Sequence, residues 1–299
     1  MFQYSRQNVL DEDIAEVVNV LRSDFLTQGP YVAKFEQAII DHVGSNYAVA
    51  VNSATSALHI ACMALGVSKG DIVWTSAITF VASANCAALC GADVDFVDID
   101  LSTVNISVEA LSEKLTIAKK LRQLPKVLVV VHMCGLSADM AAIRKLSLEY
   151  GFKIIEDASH ALGAMYLGEP VGSCKYSEIT VFSFHPVKLI TSGEGGVAVT
   201  NSQVLFEHMQ LVRTHGVTRD PEKMQSLTKE PWFYEQVELG LNYRMSDIQA
   251  ALGASQIKRL RNIVEQRNLI AERYDDQLAS LPLSCFKIPT HCISARHLY

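Results

Sequence analysis

A lysine placed directly after an apolar strand is the first residue of this sequence whose position predicts chemistry. Lys188 follows the apolar run Ile179–Phe184, in the segment SFHPVK, and small and hydroxyl residues follow it as TSGEGG. A lysine at a strand end facing a cleft loses water, which lowers the pKa of its amine and makes the amine available as a nucleophile. Alone, Lys188 would be interpreted as a surface lysine in a turn.

Polar residues also follow two other predicted strands. Asp157 ends the apolar run IIED, and ligands of open α/β sheets bind at the carboxyl ends of strands. The segment NSATSALH places Ser53, Thr55 and Ser56 at the start of a predicted helix, where hydroxyls and backbone N–H groups can bind a phosphate. Each of these residues alone could equally be a helix cap.

Together, these three groups match the requirements of pyridoxal phosphate (PLP). A lysine holds PLP as a Schiff base, a carboxylate keeps its ring nitrogen protonated, and a helix start binds its phosphate. The sequence contains no GxxxxGK[ST] motif, so nothing supports nucleoside triphosphate hydrolysis.

The elements that must position these groups alternate along the chain. Helices are predicted over Asp11–Ser23, from Pro30, and over Thr55–Leu65, Phe80–Leu89, Val108–Leu121 and Met140–Tyr150. Strands are predicted over Tyr47–Val51, Ile72–Thr75, Val94–Ile99, Val127–His132 and Lys153–Glu156. Such alternation, with continuously apolar strands, predicts an α/β fold with a mostly parallel sheet covered on both faces.

Two later regions depart from this alternation. Ile179–Phe184 and Gly196–Thr200 have no helix between them, which predicts an antiparallel pair. A continuous helical pattern then extends from Ser246 to Leu281, and Pro282 ends it.

Four motifs, NSATSALH, EDASHALGA, SFHPVKLITSGEGG and GLNYRMSDIQAALG, resemble in this order those of the DegT/StrS sugar-nucleotide aminotransferases. The resemblance extends from about Ser5 to Tyr299 and implies a fold type I PLP-dependent aminotransferase. It implies a large PLP-binding domain over 1–245, and a linking helix with the incomplete start of a small C-terminal domain over 246–299. In the family, the run SARHLY begins a strand of that small domain and the chain continues, so we expect a truncated chain.

The resemblance implies a role for each cofactor-binding residue. Lys188 would form the Schiff base and relay protons, and Asp157 would pair with the pyridinium nitrogen. Ser183, Thr55 and the amide of Ala54 would hold the phosphate.

Three further residues are implied in the same way. Phe80 would stack on the cofactor ring, and His160 would lie beside the edge of the ring that carries its hydroxyl. Asn242 would reach the phosphate of the neighbouring subunit, so the active site would require a homodimer. From the sequence alone, Phe80 could instead be a core residue, His160 a buried histidine and Asn242 a helix cap.

The implied reaction is a transamination with L-glutamate as the amino donor. The acceptor would be the C4 ketone of a UDP-linked 4-keto-6-deoxy-N-acetylamino sugar, with Arg213, His215 and Arg219 as candidates for the nucleotide. The alternatives are another nucleotide 4-keto sugar, or a chain that binds PLP without activity. A related dehydrating branch carries histidine in place of the Schiff-base lysine, so Lys188 argues against it.

Composition narrows the remaining classes of function. The chain has 299 residues, of which 49% are hydrophobic and 19% charged, which is typical of a globular protein with a sizeable core. Its net charge of −6 argues against a nucleic-acid partner. No apolar run approaches the roughly 18 residues of a membrane span, and the start lacks the apolar core of a secretory signal. Seven cysteines without a CxxC pair predict reduced thiols, no metal site and a cytoplasmic location.

Overall fold

The computed structural model describes residues 5–224 and 230–299. The strands are β1 Tyr47–Val51, β2 Ile72–Ser76, β3 Asp93–Val97, β4 Val127–Val131, β5 Lys153–Asp157, β6 Met165–Tyr166, β7 Glu169–Pro170, β8 Ile179–Ser183, β9 Gly196–Thr200, β10 Val217–Thr218, β11 Glu235–Gln236 and β12 Cys292–Ile293. The helices are α1 Asp11–Leu21, α2 Pro30–Val43, α3 Ala54–Ala64, α4 Ala82–Leu89, α5 Val108–Leu121, α6 Met140–Tyr150, α7 Gln203–Arg213, α8 Asp247–Gln256 and α9 Leu260–Leu278, with 3-10 turns at Met133–Gly135 and Ile257–Arg259.

A seven-stranded sheet in the order β1-β9-β8-β5-β4-β2-β3 forms the centre of the fold. Strand β9 runs antiparallel to both of its neighbours, β1 and β8, and the other pairings are parallel. The predicted α/β class and the predicted antiparallel pair are therefore confirmed. The carboxyl ends of β4, β5 and β8 lie side by side, which brings Val131, Asp157 and Ser183 to one edge of the sheet.

Burial on both faces explains why the central strands read as continuous apolar runs. In β4, Val127 and Val129 pack into the cluster formed with α3 and α4, whereas Leu128 and Val130 pack into the cluster formed with α5 and α6. All four side chains are fully buried. Alternate residues of one strand thus supply two cores, as parallel sheets require.

The prediction of one helix from Ser246 to Leu281 is wrong, because a 3-10 turn divides it into α8 and α9. Residues three apart lie in line in a 3-10 turn. Gln256 and Arg259, at this spacing, both donate to one buried carboxylate oxygen, Oδ2 of Asp13 (3.0 and 2.6 Å). The turn lies where the side chains converge on this anion.

The expected strand in the run SARHLY is also not formed, since Ser294–Tyr299 contains no strand. Side chains of α9 bind its carbonyls instead: Arg267 donates to Arg296 and His297 (3.1 and 3.2 Å), and Asn268 donates to Ser294 (2.9 Å). Only β12, just before this run, pairs in a sheet, with β6. The predicted division of the chain into a large domain over 1–245 and the start of a small domain over 246–299 stays a prediction.

No helix in the described ranges is both long and apolar enough to cross a membrane.

Candidate active site

A cavity of about 1010 Å³ opens at the carboxyl ends of β4, β5 and β8. Seven of the eight predicted site residues line it: Ala54, Thr55, Phe80, Asp157, His160, Ser183 and Lys188. Asn242 is exposed and lies outside this lining, and its backbone carbonyl accepts a hydrogen bond from Asn52 (3.5 Å). The chain thus brings together residues from four separate segments, while the predicted role of Asn242 across a subunit boundary stays a prediction.

Lys188 lies in a loop that closes on itself between β8 and β9. The N–H of Phe184 donates to the carbonyl of Gly195 (2.9 Å), and the N–H of Ser192 donates back to the carbonyl of Phe184 (3.0 Å). The Lys188 amine makes no hydrogen bond or ion pair with any described residue. Burial lowers the pKa of this amine, and the negative charge of Asp157 opposes the shift. The loop therefore presents a partly desolvated, unpaired amine to the cavity.

Asp157 is buried at the end of β5, and no helix follows it that it could cap. Its Oδ2 accepts from the hydroxyl of Ser83 (2.6 Å), and its Oδ1 accepts from the hydroxyl and the N–H of Ser159 (2.6 and 3.2 Å). Both donors are neutral, so the negative charge of the carboxylate remains available to a cation in the cavity.

The hydroxyls at the start of α3 divide into two groups. Ser53 is the N-cap and accepts from the N–H of Ser56 (3.1 Å), and the Ser56 hydroxyl donates to Asn52 (2.6 Å). The hydroxyl of Thr55 has no partner among the described residues and faces the cavity, as does that of Ser183. The first N–H groups of the helix, at Ala54 and Thr55, have no carbonyl one turn earlier to accept from them. These free donors form a site suited to a phosphate.

A glycine allows β9 to approach this helix start closely. A Cβ at Gly196 would lie 2.4 Å from the carbonyl oxygen of Ser53 and 2.5 Å from the N of Ala54. Any side chain at residue 196 would therefore push the strand away from the phosphate site.

Exposure settles the interpretation of Phe80. Its side chain is 71% exposed at the cavity, so it is not a core residue. An exposed aromatic ring at the rim of a cavity is free to stack on a planar ligand.

Two histidines pack against each other in the cavity wall. The rings of His160 and His297 lie 4.3 Å apart at an angle of 33°, and the Nδ1 atom of each is buried without a partner among the described residues. Burial, with the positive charge of Lys188, lowers the pKa of His160 to about 4. Burial, with the neighbouring His160, Lys188 and Arg267, lowers the pKa of His297 to about 2. Both rings are therefore neutral at pH 7.

Several lining residues escaped the sequence reasoning. His297 and Leu298 come from the end of the described chain, Met133 from the first 3-10 turn, and Gln249 from α8. Gln249 lies in the motif GLNYRMSDIQAALG and His297 in the run SARHLY, but neither motif had indicated a role for these residues, because only the tertiary fold brings them to the cavity.

The predicted nucleotide-binding candidates lie outside this cavity lining. The guanidinium of Arg213 is bound instead by Glu36 (2.7 Å) and by the carbonyl of Ala50 (2.9 Å). Because an ion pair already occupies it, Arg213 is a poor ligand for a pyrophosphate.

The residues of the cavity fit PLP by their chemistry. An unpaired amine, a buried carboxylate held by neutral donors, free hydroxyls at a helix start and an exposed aromatic ring face one space. These are the groups that bind the aldehyde, ring nitrogen, phosphate and ring face of this cofactor.

The fold and the site together define the class of PLP-dependent aminotransferases, and comparison with known proteins agrees. The model of the DegT/DnrJ/EryC1/StrS aminotransferase family matches residues 7–299, and the chain belongs to this family. The chain is 41% identical over 300 residues to the UDP-4-amino-4,6-dideoxy-N-acetyl-beta-L-altrosamine transaminase of Campylobacter jejuni, covering 100% of this chain and 76% of that protein.

Solved structures show the same likeness. One is PseC of Helicobacter pylori, an aminotransferase involved in the biosynthesis of pseudaminic acid, with a TM-score of 0.86 and 33% identity. The alignment covers 100% of this chain and 76% of PseC. Another is the PLP form of a sugar aminotransferase from Streptococcus pneumoniae, with a TM-score of 0.85 and 29% identity over 100% of this chain and 77% of that one. The family and this PLP-bound neighbour indicate pyridoxal phosphate as the cofactor.

Proposed function

We propose that this chain transfers the amino group of L-glutamate to the C4 ketone of a UDP-linked 4-keto-6-deoxy-N-acetylamino sugar. The product would be UDP-4-amino-4,6-dideoxy-N-acetyl-beta-L-altrosamine. The observation that carries this proposal is the 41% identity, over the whole described chain, to a transaminase of that name. The family alone supports an aminotransferase, and the closer likeness supports the sugar and the nucleotide.

Each of these cavity residues has a separate proposed role in the reaction. When bound, PLP supplies an electron sink that stabilises negative charge at the carbon losing or gaining a proton. Lys188 would hold the cofactor, and its amine would accept and return that proton, because burial lowers its pKa and so favours the uncharged form that can accept a proton. Asp157 would keep the ring nitrogen protonated. Thr55, Ser183 and the Ala54 amide would hold the phosphate.

The remaining proposed roles concern orientation and assembly. Phe80 would cover one face of the cofactor ring, and His160 would lie at the edge of the ring that carries its hydroxyl. Asn242 would complete the site of a partner subunit in a homodimer, which its position outside its own cavity permits. All seven cysteines are free, and we place the enzyme in the cytoplasm on composition.

Product analysis tests the substrate. The purified protein, loaded with PLP, is incubated with L-glutamate and either the UDP-linked or the dTDP-linked 4-keto-6-deoxy sugar, and the products are measured by mass spectrometry. We expect the UDP sugar to gain one amino group while 2-oxoglutarate accumulates in equal amount. Preferential amination of the dTDP sugar would support the alternative substrate, and binding of PLP without 2-oxoglutarate would support the inactive alternative.

A further inference from the structure

A glutamine outside the cavity fixes the far side of the Lys188 loop. The N–H of Thr191 donates to Oε1 of Gln256 (3.1 Å), and Gln256 is 2% exposed. Thr191 also closes the loop, because its hydroxyl donates to the carbonyl of Phe184 (2.9 Å) and accepts from the N–H of Gly193 (2.9 Å). The loop that carries Lys188 is thus hydrogen-bonded to the end of helix α8.

The orientation of the Gln256 amide is itself fixed. Its Nε2 donates to Oδ2 of Asp13 (3.0 Å) and to the carbonyl of Asn8 (2.9 Å). A carboxylate only accepts hydrogen bonds, so the NH₂ group must face Asp13 and the carbonyl oxygen is left for Thr191. Among side chains of this length, glutamine supplies both a donor and an acceptor without a charge.

Asp13, which accepts from this amide, is itself held by several hydrogen bonds. Asp13 is fully buried and also accepts from the hydroxyl of Ser255 (2.6 Å) and from the guanidinium of Arg259 (2.6 Å). Helix α1, the end of α8 and the Lys188 loop are therefore joined through one network of hydrogen bonds, none of whose side chains lines the cavity.

We propose that Gln256 is a positioning residue for Lys188, a role that rests on the proposed function of that lysine. Gln256 binds Asp13 on one side and Thr191 on the other, and so fixes the loop relative to helix α1. The loop in turn holds the Lys188 amine at the place where it would meet PLP. Loss of this bond leaves the Thr191 N–H buried without an acceptor, and the loop must shift to satisfy it.

The test compares two substitutions that each remove one hydrogen bond to Asp13. Gln256→Met also removes the acceptor of Thr191, whereas Ser255→Ala leaves the loop contact intact. The rate at which PLP forms an adduct on Lys188 is followed by absorbance, and the adduct is fixed with borohydride and located by mass spectrometry. The pH midpoint of this rate, the affinity for inorganic phosphate and the urea unfolding midpoint are measured alongside.

We expect Gln256→Met to slow adduct formation about tenfold or more and to shift its pH midpoint, because small displacements of a reacting group are costly. Phosphate affinity should stay within about twofold of the wild type, since the helix start of α3 is untouched. Ser255→Ala should lower the unfolding midpoint while leaving the rate and its pH midpoint unchanged. If Gln256→Met does not fold, Gln256→Asn, whose shorter amide cannot reach both partners, replaces it.

Two results overturn the proposal: wild-type adduct formation in the Gln256 variant, or equal slowing in Ser255→Ala. A wild-type protein that forms no adduct on Lys188 would instead contradict the proposed function, so the two failures are distinguishable.

Discussion

At the scale of single residues, the site depends on which polar atoms are already bound and which are free. The sequence predicted Lys188 and Asp157 because each follows an apolar strand, and strand ends lie together at one edge of a parallel sheet. Residue types alone could not separate Thr55 from Ser53 and Ser56, and only the family resemblance singled out Thr55, because two of the three hydroxyls become engaged at the helix start only once the helix forms. Nor could it find His297, which reaches the cavity through bonds from α9 to backbone carbonyls.

Neutralising Asp157 tests the predicted role of its charge. Asp157→Asn keeps the size of the side chain but removes the anion that would stabilise a protonated ring nitrogen, so kcat/KM should fall by about a hundredfold or more. Ser83→Ala removes one hydrogen bond to the carboxylate and keeps its charge, and should cost less than about tenfold. Steady-state kinetics on both variants checks this, and an equal loss in the two would refute the electrostatic role.

The histidine pair predicts a loss of stability in acid. Unfolded histidines bind protons near pH 6.5, whereas the folded pKa values are about 4 for His160 and about 2 for His297. The unfolded state therefore binds more protons as the pH falls from 6.5 to 4, and the folded state loses stability over that window.

His297→Phe keeps a ring beside His160 but cannot bind a proton. Between pH 7 and pH 4 the variant should lose about 3 kcal/mol less free energy of unfolding than the wild type. Urea unfolding at the two pH values measures the difference, and His185→Phe, at an exposed position, serves as the control. A wild-type acid loss in His297→Phe would show that the ring is not buried as a neutral base.

At the scale of elements, the bounds of helices and strands were predicted best where burial alone determines the spacing of apolar residues. Strands β1 and β9 and helices α5 and α6 begin and end at the predicted residues. Helix α7 and the two-residue strands had no counterpart in the prediction, and a strand of two residues is too short to show an alternating pattern. The break between α8 and α9 was not predicted either, because the helical pattern of apolar residues continues through it. In the structure, the 3-10 turn lies where Gln256 and Arg259 both donate to the buried Asp13.

The close approach of β9 to α3 gives a prediction at this scale. Gly196→Ala places a Cβ 2.4 Å from the Ser53 carbonyl, so the strand must move, at a cost of about 1–3 kcal/mol. We expect inorganic phosphate to bind about tenfold more weakly, as isothermal titration calorimetry can measure. Gly193→Ala is the matched control: its backbone is left-handed (φ 81°) and its Cβ would meet nothing within 4 Å. That variant should lose stability but keep phosphate affinity, and equal weakening in both would exclude the steric explanation.

At the scale of the whole molecule, exposed apolar side chains next to the cavity agree with the proposed homodimer. Phe80 lines the cavity, and Ile78 and Val81, its neighbours along the chain, are also exposed. Contiguous apolar patches on a protein surface mark sites of association. The resemblance to the family predicted a site shared between two subunits.

Mixed dimers test the shared site. If Asn242 acts in the partner's cavity, Lys188→Ala and Asn242→Ala in a mixed dimer both fall on the same site, and the other site of each such dimer is intact. Two inactive variants, unfolded together and refolded at equal concentration, should regain about a quarter of the wild-type activity. Each variant refolded alone is the control, and absence of any gain would mean that Asn242 serves its own subunit or none.

The most direct measurement of the central claim is the chemical identity of the group that holds PLP. The wild-type protein is mixed with PLP, its visible absorbance is recorded, and the mixture is treated with borohydride, digested and analysed by mass spectrometry. We predict a visible band that disappears on reduction and a PLP-sized mass increase on the peptide carrying Lys188. The band and the mass should be absent from Lys188→Ala and present in Lys175→Ala, whose lysine is exposed and paired with Glu169. A band retained in Lys188→Ala, or a modified peptide that lacks Lys188, would contradict the account.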